Sequence, residues 1–248
     1  MGESFGAYTI GMDDEVIKHI TSANVACGFH AGDPLVLDKT VTLAVEHNVA
    51  VGAHPGYPDL QGFGRRNMDC TLEEIRNYVV YQIGAIQAFC AVHGTRLQHV
   101  KPHGNLYNTA AVNEDIARVI AEAIASVDSE LIYVALSSTK KDFMNKIARE
   151  VGLKVVYEAF PDRAYTSDGT LLSRRLPGAV VRDARVVAER ALMMAKEGKV
   201  IAVDGTPIEL DIQTLCVHGD TPMAVELVRA IRERLEGDGM VLTPMGEL

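Results

Sequence analysis

Apolar residues fall into short continuous runs, separated by longer stretches with helical spacing. A run that is apolar at every position, not at alternate ones, fits a strand covered on both faces of a parallel sheet. Six short segments, most of them largely apolar, predict strands at residues 24–29, 49–53, 98–101, 131–136, 153–159 and 214–217. Between them lie helix signals. Asp33 precedes Pro34, an N-cap followed by proline at the first helical position, and opens a helix to about residue 47. Thr71 and Glu74 form a capping box for a helix that continues to about residue 93. Further helices are expected at 113–126, up to Gly152, and at 183–198 with Asp183 as cap. The last is opened by Asp220-Thr221-Pro222. Residues 200–210 suggest a hairpin around Asp204-Gly205, and 161–178 are irregular. The tail beyond Gly237 lacks periodicity and is expected to be loose.

Regular strand–helix alternation implies parallel strands joined by crossover helices. No linker-like shift in composition divides the chain, so residues 1–248 are expected to form one α/β domain. Its 248 residues suit a single β/α barrel. Four of the eight histidines then stand out. His30, His54, His103 and His218 each follow one of the apolar runs and are trailed closely by glycine. Such positions are C-terminal ends of strands, where parallel α/β folds gather their chemistry. The four are expected to converge on one site. His19, His47, His93 and His99 have no such setting.

The formal net charge of -9, without a Lys/Arg-rich run, argues against a nucleic-acid partner. Four cysteines are widely spaced with no CxxC, so zinc-ribbon and disulfide-framework patterns are missing. Cys27 and Cys216 read as buried free thiols. With no signal peptide and no apolar stretch near the ~18 residues of a membrane span, a cytoplasmic location is expected.

Several residues near the histidines carry candidate chemistry. Asp33 and Asp220 follow His30 and His218 closely, and either could cap a helix, serve catalysis, or do both. Lys101 ends a strand beside His103 and could neutralise an anion or titrate in a desolvated site. Asn105 and Tyr107 share its loop. Glycines 56, 62 and 64 with Arg65-Arg66 suggest a mobile cover carrying an anion-binding fork. The P-loop, G-x-G-x-x-G, G-x-S-x-G and H-E-x-x-H patterns are all missing, which disfavours those nucleotide, hydrolase and zincin chemistries.

Seven segments in order, GESFGAY, SANVACGFHAGDP, VGAHPGYPDLQGFGRRNM, YQIGAIQAF, LQHVKPHGNLYN, FPDRAY and VHGDTP, resemble the LamB/YcsF family of 5-oxoprolinase A subunits along essentially the whole chain. The resemblance implies a seven-stranded, TIM-like β/α barrel of the glycoside hydrolase/deacetylase type. Against that pattern the first strand is expected to be missing, lying before Met1. The resemblance also implies a cytoplasmic hydrolase acting on a cyclic amide. With partner subunits B and C it would convert 5-oxoproline to L-glutamate, with ATP as co-substrate bound largely by the partners. The expected catalytic set is His30, Asp33, His54, Lys101, His103, His218 and Asp220. The expected substrate-binding set is Glu3, Asn24, Arg65, Arg66, Asn105, Tyr107, Asp162 and Arg163. In this scheme His30, His54 or His103 activates water, and Asp33 or Asp220 orients a histidine. Two alternatives remain. One is a deacetylase using a divalent metal held by histidines; the other is a non-catalytic subunit that presents substrate.

Overall fold

The computed structural model describes residues 1–139, 142–221 and 223–248. Six strands form one parallel sheet in the order β1-β2-β3-β4-β5-β8. They are β1 (Ser22–Ala26), β2 (Ala50–His54), β3 (Leu97–Val100), β4 (Ile132–Leu136), β5 (Val155–Ala159) and β8 (Thr214–Leu215). Each lies on one of the six predicted segments: β4, β5 and β8 are shorter than expected, and β1, β2 and β3 are displaced by one to three residues. The sheet curls into a half-barrel. Among the described residues β1 and β8 do not pair with each other, so the curled sheet stays open between them. Six parallel strands are therefore observed where the resemblance implied seven. At the β1 edge Met1 makes the two backbone bonds of a parallel neighbour of Val25. Its amino group donates to Asn24 O at 2.8 Å, and Ala26 N donates to Met1 O at 3.0 Å.

The crossover helices are α2 (Pro34–Glu46), α3 (Leu72–Val92), α5 (Glu114–Val127), α6 (Asp142–Val151) and α7 (Ala184–Glu197), and α8 (Ala224–Gly237) follows the last strand. Asp33, Thr71, Asn113 and Asp183 cap four of them, each accepting from backbone N–H groups of the first turn that have no helical partner. Two short helices, α1 (Asp13–Val16) and α4 (Gly104–Ala110), were not foreseen. Neither is long enough to show an apolar period. β6 (Lys199–Ile201) and β7 (Pro207–Glu209) form the expected hairpin. Pro222, read as the start of the last helix, lies outside the described residues. α3 is the longest helix, and no helix is long and apolar enough to cross a membrane among the described residues.

The main core lies between the sheet and its outer helices. Val25, Val51, Val100 and Tyr133 meet Val41, Val79, Ile83, Ile120 and Ile124 there, all nearly or fully buried. The tail beyond Gly237, expected to be loose, is anchored at one buried residue. Met245 is buried against Ile132, Val134 and Val156, and Lys154 Nζ donates to Leu248 O at 2.7 Å. The signal was absent because one buried methionine makes no period.

Candidate active site

The strand C-terminal ends and their loops surround a cavity of about 980 Å³ that also runs along the open side of the sheet. Two buried clusters and a dyad occupy its upper end.

The first cluster is histidine. His54 ends β2 and His103 follows β3. His54 Nδ1 lies 2.6 Å from Lys101 O and its Nε2 lies 3.0 Å from His103 Nδ1, while His103 Nε2 lies 2.8 Å from Phe63 O. His30 stacks on His103 with centroids 3.7 Å apart and planes within 4°. His30 is fully buried and neither ring nitrogen has a hydrogen-bond partner. Burial pushes all three rings down, His103 to about 3. His54 and His103 line the cavity; His30 does not, and sits behind them.

The loop over these rings is fastened by Asp59. Its side chain accepts from Gly62 N at 2.9 Å and pairs with Arg66. Gly64 has φ +64, and a Cβ there would come within 2.8 Å of both His30 and His103, so only glycine fits. The expected cover is thus tied to Asp59 through Gly62 and Arg66. The predicted Arg65-Arg66 fork is divided. Arg66 is spent on Asp59, whereas Arg65 reaches Asp220 at 2.7 Å across the cavity mouth.

The second cluster is built around a buried ion pair. Lys101 Nζ donates to Glu158 Oε2 at 2.7 Å and to Cys216 Sγ at 3.0 Å. Tyr107 donates to the other oxygen, Glu158 Oε1, at 2.9 Å. Lys101 is 4% exposed, and its ammonium lies 4.9 Å from the Phe160 ring centroid. Burial would lower the ammonium, but Cys216 and Glu158 beside it outweigh this and hold it above its usual value. Burial and Glu158 push the Cys216 thiol up to about 12, so it is a thiol hydrogen-bonded to an ammonium, not a ready nucleophile.

The dyad is His218–Asp162. His218 Nδ1 lies 2.8 Å from Asp162 Oδ2, so its Nε2 is the nitrogen left for the cavity, which His218 lines. Asp162 is 2% exposed and does not line the cavity. It was expected to bind substrate; its carboxylate is bonded to His218 and does not face the cavity. The carboxylates expected to orient a histidine have other partners. Asp33 caps α2 and accepts from Gly6 N at 2.7 Å. Burial would raise Asp220, but Arg65 beside it keeps it below its usual range.

The other candidates divide in the same way. Glu3 lines the cavity, and burial raises its carboxyl. Asn24 also lines it, but holds His99 Nε2 at 3.0 Å. Asn105 faces the cavity from the first turn of α4, with its Oδ1 accepting from Thr109. Arg163 reaches the lining, yet it ties the 161–180 loop by donating to Ala179 O and Leu172 O. Sequence reasoning missed Glu158, Phe160 and Arg174, took Cys216 for a plain core thiol, and set His99 aside. Glu158 had a usable signal, a lone acidic residue inside an apolar run.

For the divalent metal of the alternative deacetylase reading, one candidate donor set lies among the described residues. Glu3, His30 and His103 each offer a ligand atom within 4.8 Å of the others. The set does not fit a cation in this arrangement. The stacked rings of His30 and His103 direct their in-plane lone pairs side by side, not toward a common point, and both His103 nitrogens are engaged.

Comparison with known proteins agrees along the full length. The sequence pattern of the LamB/YcsF family matches residues 1–248. Proteins named as the A subunit of 5-oxoprolinase are 56% identical in Pyrococcus furiosus, covering 100% of this chain and 96% of the relative, and 50% identical in Campylobacter jejuni, covering 95% and 91%. The crystal structure of a lactam utilization protein from Thermus thermophilus superposes with a TM-score of 0.91 at 47% identity, covering 98% of this chain and 96% of that one.

Proposed function

The chain belongs to the LamB/YcsF family, and on that premise we propose that it is the lactam-opening subunit of an ATP-dependent 5-oxoprolinase. The observation that carries this reading is the convergence, in one cavity, of a carboxylate-oriented histidine and a buried, paired ammonium. These are His218 with Asp162, and Lys101 with Glu158. Relatives are named as the 5-oxoprolinase A subunit, and a similar structure is that of a lactam utilization protein.

A five-membered lactam is a stable amide. Opening it needs a base to take a proton from water, a positive group where charge grows on the carbonyl oxygen, and a proton for the departing ring nitrogen. His218 supplies the base, with Asp162 holding its Nδ1–H and stabilising the imidazolium that forms, and that imidazolium then returns the proton to the departing ring nitrogen. The Lys101 ammonium has three hydrogens and two assigned acceptors, which leaves one hydrogen for a ligand oxygen. Arg65 and Arg174 at the mouth suit the substrate carboxylate. The overall change consumes two waters, one for ATP hydrolysis to ADP and phosphate and one for the lactam. Without a P-loop in this chain, ATP chemistry falls to partner subunits B and C. The test is glutamate formation from 5-oxoproline and ATP by the three subunits together, repeated with this chain left out. Glutamate only with all three supports the reading; undiminished glutamate without this chain overturns it.

A further inference from the structure

Among the described residues three carboxyl side chains line the cavity, those of Glu3, Glu158 and Asp220. Two of them have donors of their own. Glu158 accepts from Lys101 and Tyr107, and Asp220 accepts from Arg65. Glu3 is 9% exposed and accepts no hydrogen bond among the described residues. The groups beside it do not supply one. Ring nitrogens of His30 and His103 lie within 4.8 Å of its oxygen, but both His103 nitrogens are engaged elsewhere and both His30 nitrogens are without a partner. A carboxyl group taken from water and given no donor carries a free-energy cost.

The backbone holds Glu3 there in spite of that cost. On one side, Met1 is bonded to β1 through Asn24 O and Ala26 N, and Gly2 N donates to Asp13 Oδ2 at 2.7 Å. On the other side, Ser4 Oγ accepts from Ile10 N at 3.0 Å. With both neighbours tied, the side chain between them is set against the cavity wall. A buried acceptor that is fixed in place and left unfilled suits a donor that arrives with a ligand.

We infer that Glu3 accepts the ring N–H of the substrate and makes the site select cyclic amides over rings that lack an N–H at that position. This rests on the proposed function, which gives the lactam oxygen to Lys101 and the carboxylate to Arg65 and Arg174 but leaves the N–H without an acceptor. In 5-oxoproline the ring nitrogen is bonded to the carbon that bears the carboxylate. Its acceptor must therefore lie beside the groups that take that carboxylate, and the charge of Arg65 is felt at Glu3. Burial raises the Glu3 carboxyl, but a carboxyl offers an accepting oxygen whether or not it is protonated. A ring with CH2 in place of N–H leaves that oxygen unfilled, which is the larger source of discrimination in a buried site.

The test is calorimetric titration of the full-length chain with 5-oxoproline and with 3-oxocyclopentane-1-carboxylate, which keeps the carbonyl and the carboxylate and has CH2 at the nitrogen position. The wild type should bind the lactam about tenfold or more tightly than the ketone. Glu3→Met should lose that preference by weakening the lactam alone, and Glu3→Gln, whose amide oxygen still accepts, should keep it. In the wild-type chain the N–H proton of nitrogen-15-labelled 5-oxoproline should also move downfield on binding, a readout that needs no variant to fold. Equal affinity of the wild type for the two rings overturns the inference, as does an N–H signal that stays where it is in water at saturation. Glu3→Met weakening both rings equally assigns Glu3 to the carboxylate or to the fold, and overturns it as well. An unchanged preference in Glu3→Met, with glutamate still formed by the three subunits, refutes the role of Glu3 and leaves the proposed function standing.

Discussion

At the scale of single residues, the site depends on pairs that sequence spacing does not display. Asp162 and His218 are separated by 56 positions but meet at 2.8 Å. Replacing Asp162 with Asn removes the carboxylate that selects the His218 tautomer. Steady-state kinetics of the assembled enzyme should show kcat lower by about 10²–10⁴-fold with KM little changed. The pH profile adds a sign. As the proposed base His218 would act only when neutral, so activity is expected to fall as pH drops through its pKa. Burial holds that pKa below its usual value, and Asp162 partly lifts it. The acid limb of Asp162→Asn should therefore lie at lower pH than that of the wild type. Lys101 and Glu158 make a second such pair. Lys101→Met strands a buried carboxylate and should cost about 3–5 kcal/mol in denaturant unfolding, and adding Glu158→Gln should recover part of it. A double variant as unstable as the sum of the two singles would mean the pair is not coupled. The strand-end histidines were legible because an apolar run that stops at histidine and glycine is a local pattern. The pairing of Cys216 and the task of Asp162 were not, since each is defined by a partner more than 50 positions away; Glu158 stands out as a lone acid in an apolar run, but its partner Lys101 is equally distant.

Among the elements, the parallel strands could be read from sequence and the short connectors could not. All six strands lie on segments marked out by apolar residues and the turn signals after them, while α1 and α4 are too short to show a period. His99 shows why a strand needs its neighbour to be understood. It sits on β3, and its ring passes over Gly52 of β2 to reach Asn24 of β1. A Cβ at Gly52 would overlap that ring. Gly52→Ala should therefore destabilise the fold by about 3 kcal/mol, and His99→Ala in the same chain should relieve the clash. Thermal and denaturant unfolding of the two variants would check this. Equal stability of Gly52→Ala and wild type would contradict the register that pairs Gly52 with His99.

For the molecule as a whole, the curled sheet gathers strand ends from across the chain into one cavity. β2, β3, β5 and β8 deliver His54, Lys101, Glu158 and Cys216, and the loops beyond β5 and β8 deliver Asp162 and His218. Full-length family membership and the TM-score of 0.91 agree with this arrangement. The central claim is that ring opening takes place here, with His218 as the base. Its most direct measurement is 5-oxoproline- and ATP-dependent glutamate formation by the assembled subunits, comparing wild type with His218→Ala at matched assembly. The account predicts that His218→Ala lowers kcat by about 10²-fold or more while the subunits still associate. Glutamate formed at the wild-type rate by His218→Ala would contradict it.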